Sequence, residues 1–293
     1  MRVFVTGASG GIGAAVVSEL ITAGHEVLGL ARSDASARAI IAAGASVLHG
    51  DLDDLDILNA GAAESDGVIH LAFGHDFTAF EKSIAQEGRA VQAFGAALQG
   101  SGKPLVIASG TPFAAGRPST EADSGLIEGP AGGRARNAQS VLNLSEHGVR
   151  SAVVRLPRSV HAPDGRYGFA GILIEAAQRT GVSGYVGDGN QRWPAVHRLD
   201  AARLFRLTLE HATPATVVHA VADEGDTMRA IAEAIGNRLG LPTQSVPAEQ
   251  FGFLGTIFGI DQPASSALTQ QRFDWHPIHP SLLDDLRSGI YPG

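Results

Sequence analysis

The segment Thr6–Gly13, which reads TGASGGIG, constrains the fold of this chain more than any other part of its 293 residues. It follows the apolar run Val3–Val5 and opens a segment with helical periodicity. A glycine-rich turn between a strand and a helix predicts a phosphate-binding loop, because the N–H groups and the dipole at a helix start attract anions. Gly7 would permit the tight turn, Gly10 the close approach of a phosphate, and Gly13 the packing of the helix on the strand.

Short apolar runs alternate with amphipathic helical patterns through the first half of the chain. The predicted strands are residues 3–5, 27–30, 46–48, 67–72, 104–108 and 151–156. The predicted helices between them are residues 14–20, 35–43, 81–98 and 135–146. Apolar strands between amphipathic helices indicate a parallel sheet with both faces covered, which is the doubly wound α/β architecture of the Rossmann fold.

The pattern loosens after about residue 157 into loops that contain glycine and proline. Here the predicted helices are residues 169–179, 200–210 and 228–239, with one strand at residues 217–221. We therefore predict that residues 1–160 form a dinucleotide-binding core. Residues 161–293 would supply returning core elements and a small C-terminal substrate lobe, with no linker long enough to make this part an independent domain.

The composition limits the kinds of molecule that this chain is expected to bind. The net charge of −8, without runs of like charge, gives no footprint for nucleic acid or an anionic membrane, so a small-molecule substrate is expected. The chain has no cysteine and no tight spacing of its 11 histidines, so we predict no metal site. It shows neither a signal peptide nor an apolar stretch of membrane length, which favours a soluble cytoplasmic protein. The sequence leaves a homodimer open.

The end of the second predicted strand bears on which dinucleotide binds. An acidic residue there usually accepts hydrogen bonds from the ribose of NAD, but this strand ends Leu30-Ala31-Arg32-Ser33. A guanidinium suits the 2′-phosphate of NADP, which it can bind through two charge-assisted hydrogen bonds. We therefore predict NADP(H) as the cofactor and Arg32 as its phosphate ligand. The alternative is that Arg32 is a solvated surface residue and that Asp34 binds the ribose.

Further segments resemble the extended, epimerase/dehydratase-like branch of the short-chain dehydrogenase/reductase superfamily, over nearly the whole chain. The resemblance is carried by the TGASGGIG turn and by residues 50–52, 68–72, 187–189, 196–202 and 231–242. It implies an adenine contact from Asp51 and Leu52 and a nicotinamide contact from the turn between Pro157 and His161, including Val160. The other cofactor contacts that it implies are Gly7, Ser9, Gly10, Gly11, Ile12, Gly13, Leu71, Ala72, Phe73 and Ser109.

The superfamily's usual proton-transfer pair, a Tyr followed four residues later by a Lys, is absent from this sequence. Its three tyrosines are Tyr167, Tyr185 and Tyr291, and the residues four beyond the first two are glycines. Residues 132–137, which read GGRARN, stand where the pair should fall. The catalytic machinery is therefore expected to be altered.

Candidates remain for the catalytic roles. Ser109, at the end of the fifth predicted strand, matches the superfamily's substrate-orienting serine, and Thr111 could share that task; the alternative is that Ser109 only completes a turn. Tyr167 and His161 are the first candidates for the missing proton donor. Arg134 or Arg136 could replace the Lys in holding ribose or phosphate, although a guanidinium is a poor proton donor.

Other polar or aromatic residues have weaker claims. Glu87 lies near where the superfamily often has an asparagine, so it could belong to a proton relay. His70 is expected to pack, and Asp200 is expected to stabilise the start of a helix. His75 with Asp76 forms a second catalytic cluster or a solvated loop, and the segment around Trp193 either offers an aromatic wall to a substrate or packs in the core.

The leading hypothesis is an NADP(H)-dependent oxidoreductase that moves hydride between the nicotinamide and a small carbonyl or alcohol substrate. Activity is compatible with the loss of the Tyr and Lys pair, because the cofactor carries out the hydride transfer and the protein orients the substrate against it. A second hypothesis is a catalytically silent NADP(H)-binding sensor. A third is a nucleotide-sugar epimerase or dehydratase, which would need the absent Tyr.

Overall fold

The structure, a computed structural model, describes residues 1–74, 79–125, 128 and 132–291. The strands are β1 Arg2–Thr6, β2 Glu26–Ala31, β3 Ser46–His49, β4 Gly67–His70, β5 Pro104–Gly110, β6 Arg150–Leu156, β7 Ser159–His161, β8 Ser183–Val186, β9 Arg192–His197, β10 Thr216–His219, β11 Asp223–Thr227 and β12 Thr243–Val246. The helices are α1 Gly11–Thr22, α2 Asp34–Ala42, α3 Leu55–Ala63, α4 Phe80–Leu98, α5 Gly132–Asn143, α6 Phe169–Thr180, α7 Arg198–His211, α8 Met228–Leu239, α9 Gly255–Phe258, α10 Ala267–Phe273 and α11 Leu282–Ser288. Two 3₁₀ helices cover Leu144–His147 and Ala248–Leu254.

Seven strands form the main sheet in the order β10-β6-β5-β4-β1-β2-β3. The pairs β1–β2, β2–β3, β1–β4 and β4–β5 are parallel. The chain begins in the middle of the sheet, winds outward to β3, and returns to continue in the opposite direction from β4. The predicted doubly wound Rossmann architecture is confirmed, and its strand order reverses between β1 and β4, where such sheets open a crevice for ligands.

Helix α4 packs its apolar face into the core against the main sheet. Its buried face includes Ala90, Val91, Phe94 and Leu98, whose spacing places them on one side of a helix. The ring of Phe94 is fully buried and lies edge-on to Phe4 of β1, with centroids 6.3 Å apart. Burial of a large aromatic side chain stabilises the folded state by about 2–3 kcal/mol, so this face fixes α4 against the sheet.

The chain divides into two compact units. The first holds residues 1–110, 124–155 and 202–218, and the second holds residues 111–123, 156–201 and 219–293. The sequence placed a single division at residue 160, whereas in the structure the segment 111–123 belongs to the second unit. Most of α7 and β10 are the returning core elements of the first unit.

The second unit contains a three-stranded sheet, β11-β9-β7, and the two-stranded sheet β12-β8. These strands were not predicted, because they are short and have no sustained alternation of apolar and polar residues. Strand β11 reads DEGDT, a composition that is depleted in strands, and it is defined by antiparallel pairing with β9. No helix in the described part of the chain combines the length and the apolar character needed to cross a membrane.

Strands β1 and β4 are joined at their carboxyl ends by side chains. The Thr6 hydroxyl lies 2.7 Å from His70 Nδ1 and also accepts the N–H groups of Leu71 and Ala72, each at 3.3 Å. His70 is buried and its ring packs edge-on to Phe94, which agrees with the packing role expected from the sequence. Burial, together with the nearby charge of Arg134, lowers the pKa of His70 to about 3.

This buried imidazole makes stability depend on pH. Below the ordinary histidine pKa of 6.5 the unfolded chain binds a proton that folded His70 does not bind until about pH 3. Stability should therefore fall as the pH drops through that window, by about 2 kcal/mol between pH 7 and pH 5 from this group. In urea titrations, His70→Gln should show a smaller loss of unfolding free energy over this interval than the wild type, by that amount.

The exposed His147 supplies the control, since His147→Gln should leave the loss unchanged. NMR of the wild type gives an independent measurement that does not depend on a folded variant. Titration of the His70 ring above pH 5 in the folded protein would contradict the prediction.

Candidate functional site

A cleft of about 320 Å³ opens in the first unit where β1, β2, β3 and β4 end. It lies at the carboxyl edge of the parallel sheet, beside the reversal of strand order. The residues that line it are Gly7, Ser9, Gly10, Leu30, Arg32, Ser36, Gly50, Asp51, Leu52, Leu71, Ala72, Phe73, Gly74 and Gln86. Nine of the cofactor contacts predicted from the sequence are in this set: Gly7, Ser9, Gly10, Arg32, Asp51, Leu52, Leu71, Ala72 and Phe73.

Two glycines shape the turn at the base of the cleft. Gly7 has a φ angle of +70°, and a Cβ there would lie 2.8 Å from the backbone nitrogen of Ala72. A Cβ on Gly13 would lie 1.9 Å from the carbonyl oxygen of Gly7. The fold therefore requires glycine at both positions, the first for the turn and the second for the close packing of α1 on it.

The start of α1 faces this turn with its backbone donors. Gly10 caps the helix, and Gly11, Ile12 and Gly13 form its first residues. N–H groups at these positions have no acceptor within a helix, and the first turn of α1 carries no acidic side chain that would offset the helix dipole. Gly11, Ile12 and Gly13, which the sequence predicted as cofactor contacts, are not among the residues that line the cleft. Their contribution to binding would come from their backbone N–H groups. This end of the helix is suited to bind an anion.

Arg32 follows β2 at the far end of the cleft. Its side chain is exposed, and it forms no hydrogen bond or ion pair with the described part of the protein. Ser36, which also lines the cleft, donates its N–H to the Ser33 hydroxyl at the start of α2. Asp34 lies in the first turn of α2 and is not among the residues that line the cleft. Beside the end of β2 the cleft therefore presents a cation and hydroxyls, and after the neighbouring β3 it presents the side chain of Asp51.

Ser109 is the next-to-last residue of β5 and is 9% exposed. Its hydroxyl has no hydrogen-bond partner among the described residues. Ser109 is not among the residues that line the cleft, and the substrate-orienting role that the sequence gave it stays a prediction. Thr111 belongs to the second unit, where its N–H donates to the Leu156 carbonyl and its own carbonyl accepts from Gln262.

A buried ion pair lies beside the end of β5. Glu87 of α4 is 3% exposed and accepts hydrogen bonds from Arg134 Nη2 at 2.8 Å, from Arg134 Nε at 3.4 Å and from Asn137 Nδ2 at 2.8 Å. Arg134 Nη2 also donates to the Ala108 carbonyl at 2.9 Å, and its guanidinium carbon lies 4.1 Å from the centre of the Phe73 ring. The sequence analysis named Glu87 and Arg134 separately, but 47 residues part them and no sequence signal paired them.

This pairing revises two earlier expectations. Arg134 is held by Glu87 and Ala108 rather than standing free to take the place of a ribose-binding lysine, and Arg136 is exposed on the same helix. Both carboxylate oxygens of Glu87 accept hydrogen bonds from Arg134 or Asn137, so the carboxylate is tied to these two partners. Its role in the structure is to orient the guanidinium.

The two proposed proton donors are both buried in the second unit. Tyr167 is 1% exposed, and its hydroxyl donates to the carbonyls of Asp285 and Ile290. His161 is 1% exposed, its Nδ1 lies 2.7 Å from Asp285 Oδ2, and burial lowers its pKa to about 4. These positions argue against either residue as a proton donor, because neither polar group is presented to a substrate.

The turn predicted from Pro157 to His161 contains strand β7, in which Val160 pairs with Val196 of β9. Pro157 is buried just before this strand. Their contact with the nicotinamide stays a prediction. Trp193 is fully buried against Phe258, with ring centroids 4.9 Å apart, so it packs and offers no wall to a substrate. The candidates His75 and Asp76 lie outside the described residues.

A cluster that the sequence did not reveal consists of His197, Asp200 and His279, whose ligand atoms lie within 4.8 Å of one another. The two imidazole rings are stacked at 12° with centroids 4.7 Å apart. An ion bound by an imidazole lies near the plane of that ring, so two stacked rings cannot share it. Asp200 instead accepts the N–H groups of Ile278 and His279, so it anchors this loop as well as lying in the first turn of α7.

The chain is similar to known proteins over its whole length. It is 43% identical to an uncharacterized protein of Schizosaccharomyces pombe, with 99% of this chain and 100% of that protein covered. It is 45% identical to an uncharacterized protein of Saccharomyces cerevisiae, with 98% of each covered. A more distant relative is the UDP-glucose 4-epimerase of Streptomyces lividans, 24% identical over 97% of this chain and 98% of the relative.

Among solved structures, the UDP-glucose 4-epimerase of Stenotrophomonas maltophila, with bound NAD and formylated UDP-arabinopyranose, superposes with a TM-score of 0.79. The match covers 98% of this chain and 96% of that one at 21% identity, so it establishes the shared fold. Residues 3–125, which include the strands and turns around the cleft, match the model of the NAD dependent epimerase/dehydratase family. The chain therefore belongs to the NAD-dependent epimerase/dehydratase family.

Proposed function

We propose that the protein is an NADP(H)-dependent oxidoreductase that acts on a small carbonyl or alcohol substrate. The observation that carries the proposal is Arg32, an unpaired cation among the described residues, placed in the cleft at the end of β2. The family and the relative with bound NAD support a nicotinamide dinucleotide as the ligand of this cleft. The free guanidinium favours the form that carries a 2′-phosphate.

The cleft residues fit the pyrophosphate and the adenosine part of such a cofactor. The backbone of the Gly7 to Gly13 turn and the start of α1 would hold the pyrophosphate, since they offer N–H groups without a competing carboxylate. Arg32 and the Ser36 hydroxyl would hold the 2′-phosphate, and Asp51 and Leu52 would lie against the adenine. When bound, the cofactor supplies or accepts a hydride at its nicotinamide ring.

Ser109 would orient the reacting oxygen of the substrate. Its hydroxyl is unpartnered within the described residues and lies at the carboxyl edge of the sheet, two positions before the chain enters the second unit. A hydroxyl at this point can donate a hydrogen bond to a carbonyl oxygen, which favours attack at the carbonyl carbon. Tyr167 and His161 are left out of this proposal because both are buried in other contacts.

A nucleotide-sugar epimerase is a second candidate, because a UDP-glucose 4-epimerase is similar to this chain over 97% of its length. The absence of a Tyr followed by a Lys four residues later weighs against it, because this reaction needs a base at the sugar hydroxyl. Interconversion of UDP-glucose and UDP-galactose by the purified protein would favour the epimerase over the reductase.

The cofactor preference is tested by Arg32→Ala. Loss of the guanidinium should weaken NADPH binding by about 10- to 100-fold, since hydrogen bonds between charged groups contribute about 1.5–3 kcal/mol. The affinity for NADH should change by less than about 2-fold, because NADH has no 2′-phosphate for the guanidinium to bind. Both affinities can be measured by fluorescence titration.

Arg38→Ala is a matched control, since Arg38 is an exposed arginine on α2 outside the lining of the cleft. It should leave both affinities unchanged. Equal losses of NADPH and NADH affinity in Arg32→Ala would refute the assignment of the 2′-phosphate to this residue.

The substrate role is tested by Ser109→Ala with a panel of aldehydes, ketones and imines. The variant should bind NADPH like the wild type but reduce its best substrate with a kcat/KM lower by about 100-fold, as expected when a donor to the reacting oxygen is lost. Ser18→Ala, on an exposed face of α1, is the control and should retain full activity. Tight NADPH binding by the wild type with no turnover of any compound would instead indicate a silent sensor.

A further inference from the structure

The hydrogen bonds of Arg134 leave one side of its guanidinium unused. A guanidinium has five N–H donors, of which Nε carries one and each terminal nitrogen carries two. In Arg134, Nε donates to Glu87, and Nη2 donates to Glu87 and to the Ala108 carbonyl. Within the described residues Nη1 has no acceptor, and the side chain is 26% exposed. Two donors of known direction are therefore available.

These donors are held in a fixed position. Glu87 binds the guanidinium through both carboxylate oxygens and is itself fixed by Asn137, whose Nδ2 also donates to the Ile84 carbonyl. The Phe73 ring covers one face of the guanidinium, with 4.1 Å between the guanidinium carbon and the ring centre. A donor fixed before the substrate arrives needs little reorganisation during a reaction, which is the condition for efficient stabilisation of a transition state.

The location of the guanidinium matches that of the proposed chemistry. Phe73 lines the cleft after β4, and Ala108 directly precedes Ser109 in β5. Arg134 therefore contacts one residue of the proposed cofactor cleft and the neighbour of the proposed substrate-orienting residue. It also comes from the segment that stands where the superfamily's Tyr and Lys would fall.

We propose that Arg134 is a catalytic residue that donates Nη1–H bonds to the substrate oxygen beside Ser109, and that its substrates are neutral aldehydes and ketones. This inference rests on the proposed oxidoreductase function. The positive charge of Arg134 is balanced by Glu87, which is 4% exposed in its side chain. The pair therefore offers directed hydrogen bonds without net charge, which suits a neutral carbonyl and gives no excess attraction for a carboxylate.

The proposed step balances without a titrating side chain. A hydride with its electron pair passes from NADPH to the carbonyl carbon, the carbonyl π pair moves to oxygen, and NADP⁺ is formed. The resulting alkoxide is held by Arg134 Nη1–H and the Ser109 hydroxyl, and it takes a proton from water to give the alcohol, while the hydroxide that remains is neutralised by a proton from the solvent.

The test uses two probes that are nearly isosteric and are not reduced. Isobutyramide presents a neutral carbonyl oxygen, and isobutyrate presents a carboxylate. Their dissociation constants from the complex of the full chain with NADPH are measured through the change in NADPH fluorescence. We expect the wild type to bind the amide about 10-fold or more tightly than the acid, a ratio of the size that one hydrogen bond supplies.

Three variants separate the possible roles of the residue. Arg134→Ala and Arg134→Lys should each weaken amide binding about 10-fold or more with NADPH affinity unchanged, because a lysine cannot hold Glu87 and Ala108 and still present a fixed donor. Glu87→Gln removes the balancing charge and should move the preference toward isobutyrate by about 10-fold or more. Arg179→Ala, at an exposed site on α6, should match the wild type.

Turnover gives a second measurement. On the best aldehyde or ketone of the panel, kcat should fall by about 100-fold or more in Arg134→Ala and recover in part with added guanidinium, with no change in the pH profile. Equal amide affinities in the wild type and Arg134→Ala would overturn the inference while the oxidoreductase function stands. No amide binding by the wild-type complex would overturn it as well, and failure of the wild type to bind NADPH would overturn both proposals.

Discussion

The Thr6 hydroxyl is the contact on which the geometry of the cleft depends. It accepts the N–H groups of Leu71 and Ala72 and contacts the buried ring of His70, so one side chain at the end of β1 fixes the path of the chain after β4. These two strands flank the reversal of strand order, where the backbone would otherwise end in unsatisfied donors. The close packing of Gly13 on the Gly7 carbonyl then places α1 over the same point. The contacts of Thr6, and the packing of Gly13 on Gly7, thus determine where the cleft lies at the edge of the sheet.

Arg32 and Arg134, both in the first unit, illustrate how the surroundings of an arginine determine which group it can bind. Arg32 is exposed and has no partner among the described residues, so its full charge is available to an anion. Arg134 is paired with a buried carboxylate and covered by Phe73, so it retains directed donors but little net charge. A cofactor phosphate suits the first environment and a polarised neutral group suits the second. Arg32 lines the cleft itself, whereas Arg134 lies behind Phe73, one of the residues of its lining.

Sequence patterns predicted the elements that obey strong local rules. The turn from Gly7 to Gly13 and the strands of the main sheet were predicted because a glycine-rich turn after a strand, and short apolar runs between amphipathic helices, are typical of a parallel sheet. The pairing of Glu87 with Arg134 could not be predicted, because it joins two helices distant in sequence and neither residue interrupts its helical pattern. The burial of Tyr167 was missed for a related reason, since its partners Asp285 and Ile290 come from the far end of the chain.

The first unit is made of three segments that are separated in the sequence, so its main sheet is completed late during synthesis. Strand β10, which borders β6 at the edge of the main sheet, ends at residue 219, after much of the second unit has been translated. At about 5–20 residues per second, a ribosome needs about 10 to 40 s to reach this point. Until then β6 is an open edge, the kind of surface that pairs with foreign strands. The nascent chain therefore carries its cofactor loop early but completes the sheet that supports it late.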